Sequence, residues 1–268
     1  MITFIEPNTP AWYQARVGCF TASEVVRLFK GGTRAMTPAE LAAEKSNGGK
    51  RKTVDTLFGA GAITYINEKV SEIINKRAKS TAITKPMQRG ISLEAEAIDL
   101  FTHITGIKMH QSGLFKLSPF VAGTPDGHVG VRKVKAIAEV KCLNPENHSE
   151  ICEMDTVKQL REYDESFYAQ CQMNMYVTEA KVAYFISYDN RPLGYDDNGE
   201  LDESIYDEDK FIYCIKWFKI KRDETFIKEL EMRLDAASDL VIKKLEKRIK
   251  SAENNLKRFH RTQQRKAA

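Results

Sequence analysis

The chain has 268 residues, 42% of them apolar and 29% charged, with a formal net charge of +4. These values exclude a disordered or collagen-like polypeptide, and the length can bury a full core in one large domain or two small ones. No apolar run approaches the roughly 18 residues a membrane span requires. The five cysteines, at 19, 142, 152, 171 and 214, include no Cys-x-x-Cys pair, so neither a zinc knuckle nor an iron–sulfur cluster is indicated. Reduced thiols and the lack of a charged-then-apolar leader pattern predict a cytoplasmic location.

In chain order, "FTASEVVRLF" places Thr21 and Glu24 at capping-box spacing and predicts a helix from about Ala22. "MTPAEL" repeats the device, with Thr37 as cap, Pro38 at the first helical position and Glu40 at the third. "SNGGKRKT", residues 46–53, reads as an exposed loop, followed by a helix over about 54–77. A further helix over about 86–104 ends at Thr105-Gly106. The period then shortens. "IKMHQSGLFKL", "FVAGT", "HVGVRKV" and "AIAEVKC" are β-type segments separated by turn residues, as in a meander. Residues 165–178 return to helix, "KVAYFISY" and "FIYCIKWFKI" predict two more strands, and a helix over about 223–260 closes the chain. Helices around a central mixed sheet place the fold in the α/β or α+β class. With no internal repeat and no strong linker, the predicted partition is one domain over 1–222 and a basic helical extension over 223–268.

Charge is unevenly spread. Residues 243–266 carry ten Lys/Arg against Glu246 and Glu253, a balance of +8, and residues 196–209 carry eight Asp/Glu and no base, a balance of −8. The basic end suits a polyanionic partner or serves as a solubilising tail, and the acidic stretch reads as a solvated loop. Leu201 occupies the position where a calcium-binding loop has glycine, which argues against calcium there.

The chemistry concentrates in "AGTPDGHVGVRKVKAIAEVKC", residues 122–142. On a strand over "AIAEVKC", alternation puts Ile137, Glu139 and Lys141 on one face and Ala138, Val140 and Cys142 on the other. Asp126, in a Pro-Asp-Gly turn at a strand end, can converge on Glu139 within a hairpin. Two neighbouring carboxylates repel, and a divalent cation relieves the repulsion; hard oxygen donors favour Mg²⁺ or Mn²⁺. A lysine beside them can orient a water or stabilise charge on a phosphate. The plain alternative is a surface hairpin with a Glu–Lys cross-pair. On the 86–104 helix, Met87, Ile91, Ile98 and Phe101 form an apolar stripe with Glu94 at its centre, which offers a third carboxylate, or else a buried ion pair. The helix "ESFYAQCQMNMYV" is apolar nearly all round, so Gln170 and Gln172 need partners, either at this site or on neighbouring backbone. Arg16, with Ser23 and the free N–H groups of the helix expected at Thr21–Ala22, forms a candidate phosphate receptor.

"AWYQARVGCFTASEV", "RGISLEAEAIDLFTHITG", "AGTPDG", "AEVKC" and "FYAQCQMNMYVT…AYFISYDNRP" occur in an order that resembles the phage lambda-type exonucleases, the viral-recombinase nucleases of the PD-(D/E)XK group. The resemblance covers roughly residues 11–192. It implies a restriction-endonuclease-like core and a Mg²⁺-dependent nuclease that degrades one strand of linear duplex DNA from a 5′ end. The 3′ overhang would serve a single-strand annealing protein in recombination. It further implies that Asp126, Glu139, Glu94 and the Val140 carbonyl ligate metal, that Lys141 activates the water, and that Gln170 stands near Lys141. Arg16, Ser23, Thr21 and Ala22 would hold the terminal 5′-phosphate of a DNA end, and the assembly would be a ring-shaped homotrimer. Thr124 stands where the family usually has serine, and the 31–53 insert and the basic C-terminal helix have no clear counterpart. The rival expectations are a structure- or site-specific endonuclease on the same fold and a non-catalytic DNA-end-binding module.

Overall fold

The computed structural model describes residues 5–79 and 84–267, with side chains up to 263. The elements, in order, are α1 (Pro10–Ala15), β1 (Phe20–Thr21), β2 (Gly32–Ala35), α2 (Pro38–Ser46), β3 (Thr53–Thr56), α3 (Ala60–Asn75), α4 (Lys85–Thr105), β4 (His110–Gln111), β5 (Phe115–Ser118), β6 (Val121–Gly123), β7 (Gly127–Val129) and β8 (Ala136–Cys142). After these come α5 (Pro145–Cys152), α6 (Val157–Tyr163), α7 (Glu165–Thr178), β9 (Val182–Tyr188), β10 (Ile215–Lys221) and α8 (Glu224–Ala267).

The expected mixed α/β architecture is present, and its sheet is divided. The main sheet runs β10-β9-β8-β7-β4, with β8 and β9 parallel and the other pairs antiparallel. A smaller sheet runs β1-β6-β5, with β1 parallel to β6. Alternation along β8 separates two apolar layers. Ile137 joins the large core built with α3, α7 and the first half of α8, whereas Ala138 and Val140 pack with Leu93, Ala97 and Phe101 of α4. Most of α7 is buried, from Tyr168 to Thr178, and each of its large apolar side chains stabilises the fold by roughly 1.5–3 kcal/mol. Within α8, Phe226, Ile227, Leu230, Leu234, Ala237 and Val241 belong to the same core; from Glu246 to Gln263 its residues are exposed.

Several sequence expectations are corrected. Residues 22–29 form a 3-10 helix, and Thr21 makes no side-chain cap. Glu24, which would complete the box, is bonded instead to Arg27 at 2.7 Å. Residues 53–56 are a strand paired with β2, not the first turn of a helix: three of its four residues are β-branched, and Gly59 separates it from α3. The segment "FIY" at 211–213 lies in a 3-10 turn (Glu208–Tyr213) before β10, and "HVGVRKV" keeps its strand only to Val129, where Gly130 turns with φ of +102°. The α4 stripe is also half open. Met87 and Ile91 are 47% and 41% exposed, and the buried ridge is Leu93, Ala97 and Phe101 at i, i+4, i+8. By contrast, α2 carries the predicted capping box, α7 has the predicted bounds, and Gly106 ends α4 in the left-handed conformation. Helices α1, α5 and α6 were not expected.

Candidate active site

Asp126 is tied to β8 at both ends: its N–H donates to the Ala138 carbonyl at 3.0 Å, and its Oδ2 accepts the Val140 N–H at 2.7 Å. Glu139 and Lys141 project from the opposite face of β8 to Val140, under α7. Glu139 is 2% exposed and fully bonded. Its Oε1 accepts Lys141 Nζ at 2.8 Å and Gln170 Nε2, and its Oε2 accepts Asn174 Nδ2 at 2.9 Å. Lys141 Nζ also donates to Gln170 Oε1 at 3.0 Å. Gln170 and Asn174 are one helical turn apart on α7, so one face of that helix supplies both amides.

The charges are poised against one another. Burial, then Glu139, then Glu94, holds the Asp126 carboxyl well above the usual carboxylate range. Burial first, then Glu139, pushes Glu94 up to about 7, with Lys141 opposing. For Lys141 burial works against the charge, yet Glu139 and Asp126 outweigh it and push the ammonium up to about 12. A carboxylate pair raised in this way is one that a bound cation would relieve, because positive charge restores the ionised form.

Glu94, on α4, shares a cleft of about 570 Å³ with Asp126, Trp12 and Thr124. Among the described residues it has no hydrogen-bond partner, and no three carboxylate, histidine or cysteine groups gather into a ready ion-binding cluster. Both oxygens of Glu139 are taken by Lys141, Gln170 and Asn174. The donor chemistry of Glu94, Asp126 and Glu139, hard oxygens that repel one another, nevertheless fits Mg²⁺ or Mn²⁺. Val140 is buried within β8, and its N–H, as noted, anchors Asp126.

Next to this cleft lies a cavity of about 150 Å³ lined by Arg16, Thr21, Ala22, Ser23, Trp12 and Gln170, among others. The Arg16 guanidinium stacks 3.8 Å from the Trp12 ring centroid, and burial lowers its pKa from the ordinary value. Among the described residues Arg16 has no carboxylate partner, and Thr21 Oγ1 is buried without a hydrogen bond. An anion would satisfy both.

The structure therefore joins Glu139, Lys141 and Gln170 by side-chain hydrogen bonds, ties Asp126 to the Ala138 and Val140 backbone, sets Glu94 in one cleft with Asp126, and places Arg16, Thr21, Ala22 and Ser23 around one small cavity. The two glutamines have different partners: Gln170 bonds Lys141 and Glu139. Gln172 Nε2 donates to the Lys221 carbonyl at 2.9 Å and its Oε1 accepts the Asp223 N–H at 3.0 Å, so it ties α7 to the β10–α8 junction. Two participants escaped the sequence reading. Asn174 was detectable from its i+4 spacing to Gln170. Trp12, which lines both cavities and donates from Nε1 to Thr124 Oγ1 at 3.2 Å, gave no local signal. Asn174 stands against Gly123 of β6, where an added Cβ would come 2.6 Å from Asn174 Oδ1 and 2.7 Å from Val177 Cγ2.

The model of the YqaJ-like viral recombinase domain matches residues 11–181, more than half of the chain. Among solved structures, the fold is similar to an alkaline exonuclease, LHK-Exo, from Laribacter hongkongensis. That pair has a TM-score of 0.64 and 22% identity over 92% of this chain and 99% of that one. LHK-Exo in complex with dAMP gives a TM-score of 0.65 at the same identity and coverage. A phage-related exonuclease from Haemophilus somnus 129PT gives 0.59 and 18% identity over 85% of this chain and 96% of that one. No curated protein matches the chain by sequence. No helix among the described residues is long and apolar enough to cross a membrane.

Proposed function

Because this chain belongs to the YqaJ-like viral recombinase domain family, we propose that it is a Mg²⁺-dependent 5′-to-3′ exonuclease that digests one strand of linear duplex DNA. Asp126, Glu139, Glu94 and the Val140 carbonyl would hold Mg²⁺, with Mn²⁺ as substitute, and the ion supplies a water of lowered pKa and charge for the leaving 3′-oxygen. Lys141, whose ammonium is favoured by Glu139 and Asp126 against burial, would act as a donor that orients the attacking oxygen or a phosphate oxygen. Gln170 fixes Lys141 and Glu139 relative to each other. Arg16, Thr21, Ser23 and the Ala22 N–H would take the 5′-phosphate, which limits the reaction to chain ends. Contacts to phosphates read no sequence, so digestion would proceed through any sequence.

The observation that carries this reading is the position of Gln170. It lines the small cavity with Arg16, Thr21 and Ser23 and is bonded to Lys141 and Glu139. A terminal phosphate in that cavity would thus lie beside the carboxylate site. The 3′ overhang left behind is a substrate for a single-strand annealing protein, which we assign as the partner in phage-type recombination. A ring-shaped homotrimer around the product strand would give processivity through topology, in the cytoplasm of the host cell.

The test is digestion of linear duplex bearing either 5′-phosphate or 5′-hydroxyl ends, in Mg²⁺, with product sizes resolved on a denaturing gel. Mononucleotides released preferentially from phosphorylated ends are expected. Equal rates on both ends, or discrete cuts in a closed circle, would replace this reading with an endonuclease.

A further inference from the structure

The cleft, the small cavity and a third hollow of about 580 Å³ follow one another along the stretch of chain from β4 to β5. Gln111 and Ser112 line the cleft with Asp126 and Glu94. Leu114 lines the small cavity with Arg16 and Thr21, and Phe115, Lys116 and Leu117 line the third hollow. Shared walls fix the order. Trp12 and Thr124 belong to both the cleft and the small cavity, and Leu114 belongs to both the small cavity and the third hollow. The small cavity thus stands between the other two, and the third hollow lies beyond it from the carboxylates.

This third hollow is a basic groove. Lys116 of β5 and, from the turn between β7 and β8, Arg132 and Lys133 stand along it, all exposed, with Glu179 as the acid among its lining residues. Lys116 Nζ donates to the Ala15 carbonyl at 3.0 Å, and among the described residues none of these bases pairs with a carboxylate. The wall between them is apolar: Leu114, Phe115, Val134 and Val177 are buried, and Leu117 is 48% exposed. Unpaired bases beside an apolar wall suit a single strand of nucleic acid, whose phosphates take the charge while its sugars and bases cover the apolar surface.

We propose that this groove binds the single-stranded 3′ extension that digestion leaves behind. The polarity rests on the 5′-phosphate reading given above. With the terminal 5′-phosphate beside Arg16 and Thr21, the digested strand ends at the small cavity, and beyond it only the complementary strand continues. Lys116, Arg132 and Lys133 hold the backbone of that strand, and such contacts read no sequence. None of the three belongs to the candidate active site. The groove keeps the protein on its product between cuts through contacts made by one chain, whatever the assembly around it.

The experiment measures binding of the full chain by fluorescence anisotropy in EDTA, with the DNA checked intact on a denaturing gel. The substrates are 5′-phosphorylated duplexes closed by a hairpin at the far end, with a blunt end, a short 3′ extension or a short 5′ extension. The 3′ extension is expected to tighten binding about tenfold over the blunt end, and the 5′ extension to add little. The triple variant Lys116→Gln, Arg132→Gln, Lys133→Gln should lose that gain and keep its blunt-end affinity. Its salt slope on the 3′-extended substrate should fall by about 2, at ~0.7 for each single-strand phosphate contact. Circular dichroism checks that the variant keeps its fold. A bromodeoxyuridine in the 3′ extension gives a readout free of mutation, with photo-cross-links expected to peptides spanning residues 114–117 and 131–135. No gain from the 3′ extension, an equal gain from the 5′ extension, a gain that survives in the triple variant, or cross-links confined to other peptides overturns the proposal. Repeating the series with 5′-hydroxyl ends separates this proposal from the reading it rests on. Equal affinity for both ends with the 3′ gain intact supports the groove and removes the terminal-phosphate assignment.

Discussion

Glu94→Gln removes one charge from a cleft already holding Asp126 and close to Glu139. Folding pushes Glu94 from its ordinary 4.5 up to about 7, by burial first and by Glu139 second. A carboxyl whose pKa rises on folding binds its proton more tightly in the native state than in the unfolded chain. Its penalty is therefore absent below pH 4.5, grows as pH rises, and is complete above about 7. That rise, from 4.5 to about 7, sets a limit of ~3.5 kcal/mol. Glu94 opens onto the cleft, so solvent screening reduces the expected effect to ~1–2 kcal/mol. In EDTA at pH 8 the glutamine variant is thus expected to be more stable than the wild type by that amount, and the difference should shrink towards zero near pH 4.5. Urea denaturation followed by circular dichroism at both pH values measures it. Added Mg²⁺ should then stabilise the wild type more than the variant, and nuclease activity should fall. A glutamine variant that folds, yet is no more stable than wild type in EDTA at pH 8, would refute the account of opposed carboxylates.

Two further outcomes follow from the same contacts. Lys141→Ala is expected to cut the nuclease rate by about 10²–10³, the effect of losing one positioned donor. It should also destabilise the metal-free fold by ~3 kcal/mol, because buried Glu139 loses its counter-charge; a rate within threefold of wild type would remove Lys141 from the chemistry. Gln172→Met leaves the Lys221 carbonyl and the Asp223 N–H without partners and should cost about 1–3 kcal/mol in denaturant melts, with the rate per folded molecule unchanged. A rate loss without a stability loss would show that Gln172, and not only Gln170, serves the site.

Much of the site was legible because a strand has a period of two. Once "AIAEVKC" is a strand, Glu139 and Lys141 must share a face, and the apolar helix 165–178 has no place but over it. Pairing order was not legible: nothing local in "FT" announces that β1 lies parallel beside β6, and it is this pairing that carries Arg16 and Thr21 to Gln170. The error at residues 54–56 arose because a four-residue strand lies three residues before an amphipathic helix, whose period dominated the window. Helices α1, α5 and α6 show start signals in Thr9-Pro10, Asn144-Pro145 and Thr156 with Gln159, but with six to eight residues each they are too short for periodicity to register. The Thr21–Glu24 box failed through competition, since Arg27 offers Glu24 a stronger partner than a backbone amide does.

The bare backbone at Gly123 acts as a spacer of zero thickness between β6 and α7. Because α7 carries both Gln170 and Asn174, the gap at Gly123 sets the height at which the two amides stand over Glu139. A single methyl group there would work as a shim, lifting the helix or turning the Asn174 amide away. The alignment of the Glu139 carboxylate is thereby governed in part by a residue with no side chain, in the smaller sheet and not the one that holds β8, which a survey limited to charged and polar groups would pass over.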